Sequence, residues 1–119
     1  MSGARGEARL QSGEREITIL LTNRALAEVE QQTGKTILQL AQAARGDALG
    51  MGTVAQLLAA GMEYARRDAG AGGPRVTLKD AYTVLDEVGF VRATVAVCEA
   101  LGAVLSYGAD AEGAAPDPS

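Results

Sequence analysis

Residues 16–34, EITILLTNRALAEVEQQTG, read as a strand that runs directly into a helix. Ile17, Ile19 and Leu21 alternate with Glu16, Thr18 and Leu20, the period of two that puts one set of side chains on a single sheet face. Thr22 and Asn23 offer side-chain oxygens to the free N–H groups of a helix start. Arg24 to Thr33 is rich in helix formers, and Gly34 stands where a helix end often needs a positive φ. The strand and the stripe Ala25, Leu26, Val29 are expected to face one core. Leu20 then points the other way, a surface leucine available to another protein.

Upstream, Glu7 to Gln11 reads as a first strand, Ser12–Gly13 as a turn, and the second strand starts at about Arg15. Such a hairpin is marginal alone and needs helices against it. Downstream, three Thr-x-x-polar patterns mark helix starts: Thr36 with Gln39, Thr53 with Gln56, and Thr77 with Asp80. The helices they open carry apolar residues at steps of three and four. These are Ile37, Leu40, Ala41 and Ala44, then Val54, Leu57, Leu58, Gly61, Met62 and Ala65, then Leu78, Ala81, Tyr82, Leu85 and Val88. Gly61 costs about 1 kcal/mol against alanine in a helix, so a close approach by another element is expected there. Residues 46–52 and 68–75 are glycine-rich connectors. Gly89 breaks the chain before a fifth helix from Phe90, with the stripe Val91, Val95, Cys98, Leu101 and Leu105.

The expected fold is therefore α+β, mostly α: an N-terminal two-stranded hairpin followed by a compact bundle of four to five short helices. Residues 7–107 form the one domain, between a flexible start (1–6) and a disordered acidic tail (108–119). Only 3% of residues are aromatic and 15 are glycine, so the core is expected to be thin, with helices meeting across small residues.

Composition narrows function by exclusion. A net charge of −4 and dispersed basic residues argue against nucleic acid, and Arg66–Arg67 reads as a solvated helix end favoured by the macrodipole. No histidine is present and Cys98 is the lone cysteine, so neither an internal disulfide nor a Cys/His metal site is expected. Cys98 lies in an apolar run and reads as a small core residue. The N-terminus has no apolar signal region, and Phe90–Leu105 is short and interrupted by Arg92 and Glu99, so a cytoplasmic protein without a membrane span is expected. The two glycine-rich connectors lack the lysine and the strand context of phosphate-binding loops. None of the four serines lies in a nucleophile elbow, and Glu28/Glu30 and Asp86/Glu87 form no paired-carboxylate site. No enzyme, cofactor, metal or small-molecule substrate is expected. What remains is protein binding: strand addition at a hairpin edge, or an adaptable apolar groove near Met51 and Met62.

The order of parts resembles a family from tailed phages and gene transfer agents. The shared pattern is L-T-x-x-A-L-A-E-x-E through Gly34 (here Leu21 to Glu30), then T-I-x-x-L (Thr36 to Leu40), then a helix with L-L-A-A-G-M (Leu57 to Met62), and a later helix over Val76 to Gly89. Over residues 6–105 the chain resembles the gene transfer agent tail-assembly chaperone family, also labelled a tail tube family, with Val29 standing where the family carries leucine. The resemblance implies a non-enzymatic role in building a non-contractile tail, in which the chaperone coats the tape measure protein and is displaced by the tail tube protein. Self-association is compatible with it. Leu20, Met51, Leu58 and Met62 are the expected protein-binding residues. The alternative is a structural tail tube component, disfavoured by the two short strands.

Overall fold

The computed structural model describes the backbone of residues 6–114 and the side chains up to residue 106. Seven elements follow in order: β1 (Glu7–Ser12), β2 (Arg15–Leu20), α1 (Asn23–Thr33), α2 (Ile37–Arg45), α3 (Met51–Asp68), α4 (Leu78–Val88) and α5 (Phe90–Ala114). The fold is the expected α+β, mostly α architecture, a two-stranded antiparallel hairpin followed by five helices.

The hairpin register pairs Ser12 with Arg15, Leu10 with Ile17 and Ala8 with Ile19 around a turn in which Gly13 has φ 62°. These residues share one face, and Ala8, Leu10, Ile17 and Ile19 are all buried. The ladder extends one step beyond the strands, where the Leu21 N–H donates to the Gly6 carbonyl at 2.9 Å. Gly6 is therefore fixed rather than frayed. Its φ is 72°, and a Cβ there would come within 2.7 Å of the Val104 side chain. The rest of the expected flexible start, residues 1–5, lies outside the described residues.

α3 is the central helix. It lies against β2, α1, α4 and α5, and its Val54, Ala55, Leu57 and Leu58 are completely buried. Gly61 is where β2 crosses it: a Cβ at Gly61 would overlap Ile19 Cγ2. The close approach expected from the sequence is there, and its partner is the hairpin. α1 buries Ala25, Leu26 and Val29, the expected stripe, between the Thr22 cap and Gly34 at φ 73°. Full capping boxes open α2 (Thr36 with Gln39) and α4 (Thr77 with Asp80).

Four local expectations are corrected. α3 starts at Met51 with Gly50 as its N-cap and no side-chain cap, so Thr53 lies inside the first turn. Leu20 is 3% exposed and not a surface residue; its backbone nitrogen lies beside Gly61 of α3, where β2 ends. α5 runs on to Ala114, past the expected tail boundary at 108; residues 115–119 are outside the described chain. Finally, α5 faces the core with Ala93, Ala96, Val97, Ala100 and Leu101, while Val91 and Val95 are 72% and 62% exposed. A helix face of alanines comes closer to the hairpin than one of valines, and that face sets the orientation of α5. α4 and α5 meet at a bend of 119° across Gly89, whose φ is 89°.

Candidate functional site: the outer face of α5

The site follows from that rotation of α5. With alanines turned inward, Val91, Val95, Cys98, Gly102 and Leu105 fall on the outer side at alternating steps of four and three, the spacing of a coiled-coil seam. α2 lies alongside this seam and contributes Ala41 and Ala44, leaving two shallow grooves. One, of about 390 Å³, runs past Cys98, Gly102 and Leu105; the other, of about 280 Å³, past Val91, Val95 and Leu49. Across the seam, β1 contributes Arg9 and Gln11, and the Gln11 carbonyl accepts a 2.7 Å hydrogen bond from Arg92. The strip is thus apolar, about 20 Å long at the helical rise, and bordered on both sides.

Two details mark it as incompletely packed. Thr94 Oγ1 is buried beside the second groove and has no hydrogen-bond partner among the described residues. Gly102 sits inside a helix, yet a Cβ there would meet nothing within 4 Å. Unlike Gly6 and Gly61, it is not required by any contact with the described residues. Cys98 is half-buried, and burial, followed by the nearby Asp47 charge, pushes its thiol up from the usual value. It is therefore a poor thiolate and acts as part of the apolar strip.

The expected binding residues do not form one exposed surface. Leu58 and Leu20 are in the interior, Leu58 completely so. The period-three-four stripe on α3 is the one that faces inward, and a central helix has no other place for it. Met62 is half-buried against the core. Met51 alone is open, 50% exposed at the start of α3 and two residues beyond Leu49. The sequence sets Val91 and Val95 in one stripe with Leu101 and Leu105, whereas the structure buries Leu101 and leaves both valines exposed. Their spacing signalled a stripe, but the equally periodic alanines of the opposite face won the contact with the hairpin.

A second polar centre lies at the far end of α3. Glu63 is 1% exposed and accepts from Arg66 Nη2 at 2.7 Å, Arg66 Nε at 3.0 Å, Arg67 Nε at 2.7 Å and the Val76 N–H at 2.8 Å. Arg66 reaches on to the Ala71 and Gly73 carbonyls of the connector. The Arg66 bonds, then the Val76 N–H and Arg67, hold the Glu63 carboxyl down at about 2 against burial, which pushes the other way. So Arg66–Arg67 is no free solvated pair; both side chains are tied to Glu63. Next to it, Tyr64 donates to Glu28 at 2.6 Å while Arg67 stacks 4.7 Å from the tyrosine ring. Every strong partner in this cluster is internal, and it ties the connector to α3.

Among the described residues no group of three or more His, Cys, Asp or Glu could hold a metal ion, and no single helix is long and apolar enough to cross a membrane. Comparisons with protein-family models, with curated proteins and with solved structures found no match.

Proposed function

We propose that this chain is a non-enzymatic protein-binding module, a tail-assembly chaperone of a phage-like particle or gene transfer agent that holds the long helices of a tape measure protein. The observation that carries the reading is the α5 strip: two largely exposed valines continued by half-buried Cys98 and Leu105, at coiled-coil spacing, in a groove beside α2. A helix that presents its own apolar seam fits such a groove along i, i+3, i+4 and i+7 anchors. The net charge of −4 favours solubility of a complex whose client exposes apolar surface. The resemblance of residues 6–105 to the chaperone family supports the identity of the client. On this reading the partner residues are Val91, Val95 and Met51, and the interior Leu20 and Leu58 serve the fold.

The test is co-expression with the long coiled-coil-rich protein encoded nearest downstream. The expected result is that the partner is soluble only with this chain, and that the chain is missing from finished particles. A chain found in the particle, and no soluble complex, would establish the structural tail alternative instead. Within the complex, Val91→Asp and Val95→Asp are expected to weaken binding by about tenfold or more each. Both should leave the circular dichroism spectrum and melting temperature nearly unchanged, because the wild-type side chains touch little of the core. By contrast, Leu58→Asp is expected to prevent folding altogether, since it places a carboxylate in the middle of α3 with no partner.

A further inference from the structure

The outer face of α5 is complementary to itself, and we propose that the free protein is a homodimer in which two copies of α5 pack antiparallel. One alignment brings the unusual features together. If Val95 is set against Cys98 of the second copy, Val91 falls against the other copy's Gly102, and the two-fold axis repeats both contacts. The most exposed large apolar side chain among the described residues of α5 then enters the one seam position whose missing Cβ leaves open space. That knob-into-hole fit gives Gly102 the packing role that no residue of its own chain supplies.

Charge selects the same alignment. Arg92 and Glu99 follow Val91 and Cys98 on the side of the seam nearer β1, and both line the groove there. In the antiparallel pair, Arg92 of each copy comes beside Glu99 of the other, two attractive pairs related by the axis. Glu99 has no salt bridge to any described residue of its own chain. Arg92 uses one N–H on the Gln11 carbonyl and keeps further donors free for a carboxylate. A parallel arrangement, or a shift by one heptad, would lose the match of Val91 with Gly102 and of Arg92 with Glu99. The helices need an interaxial distance of about 8–10 Å, which the small residues Gly102 and Cys98 permit.

The dimer stands on α5 alone. That it competes with a client helix for the same strip rests on the chaperone reading above: the second copy covers the valines until a client replaces it.

The experiment is sedimentation equilibrium on the full chain, with charge exchange. The wild-type chain is expected at twice its 12.2 kDa monomer mass at high-micromolar concentration. Arg92→Glu and Glu99→Arg each place like charges together, so each variant alone is expected to dissociate about tenfold more readily or worse. An equimolar mixture of the two variants restores both attractive pairs and is expected to return to the dimer. Gly102→Leu, whose Cβ meets no described atom and whose outer atoms enter the open groove, is expected to fold and to stay monomeric because the hole is filled. A wild-type chain that is monomeric throughout, or a dimer indifferent to these changes, would overturn the proposal. Neither result bears on co-purification with a helical client; loss of that co-purification from a chain that still dimerises would overturn the chaperone reading instead.

Discussion

Glu63→Ala is expected to destabilise the protein by about 3–5 kcal/mol, a large part of the total stability of a domain of this size. The carboxylate is 1% exposed and accepts four hydrogen bonds. Without it, Arg66 and Arg67 can swing towards water, since both are partly exposed, but the Val76 N–H is left without its acceptor. Removing one member of a buried, hydrogen-bonded cluster costs more than the cluster's net contribution, because the Val76 N–H stays desolvated without an acceptor. The connector from Ala69 to Arg75 then loses its tie at Val76 and the group that positions Arg66 on the Ala71 and Gly73 carbonyls. Urea denaturation should show the loss of midpoint, and limited trypsin digestion should cut after Arg75 much faster than in the wild-type chain. A variant within about 1 kcal/mol of wild type would mean that the cluster is merely tolerated.

The same group sets an acid limit. Its folded-state carboxyl is held at about 2 against an ordinary 4.5, so the folded protein binds this proton more weakly than the unfolded chain does. The resulting contribution is fully present above about 4.5 and is lost as pH falls towards about 2. The wild-type chain should therefore lose stability steeply over that window. Glu63→Gln, whose amide oxygen can still accept from Val76, should be less stable at neutral pH and show a shallower acid slope.

The hairpin and the boundaries of α1, α2 and α4 were legible because their signals are local. Gly34 at the end of α1, and the threonines that cap α2 and α4 with their polar partners three residues on, act within a single turn of chain. The orientation of α5 was not legible in the same way. Its large residues and its alanines both recur at helical period, and which face turns inward depends on how near the hairpin comes. Glu63 illustrates a different gap. Its spacing to Arg66 and Arg67 signals ion pairs on one helix face, but its burial comes from the connector folding back to bring Val76 onto it. The exposed strip of α5 was missed for the first of these reasons. Rules that assign large apolar residues to the core misplace them wherever a small-residue face makes the closer contact.

Gly61 is the position where such a contact can be measured. In an exposed helix, Gly→Ala stabilises by about 1 kcal/mol. Here the sign is expected to reverse. The added Cβ would overlap Ile19 Cγ2, and Ile19 is completely buried and branched at Cβ, so it cannot rotate that methyl away without taking an unfavourable rotamer. The Leu20 backbone nitrogen stands 3.5 Å from the same point, an ordinary van der Waals contact, so the clash falls on the Ile19 side chain. Overpacking of this kind costs about 1–3 kcal/mol, and Gly61→Ala is expected to lower stability by about 2 kcal/mol despite its better helix propensity. Ile19→Ala alone should cost about 2–5 kcal/mol through the cavity it opens. Combined, the two changes should cost at least about 1 kcal/mol less than their sum, because the new methyl at 61 fills space vacated at 19. Strict additivity in that double-mutant cycle would mean that α3 and β2 part freely at this crossing, and that the glycine is not what lets the hairpin lie on the central helix.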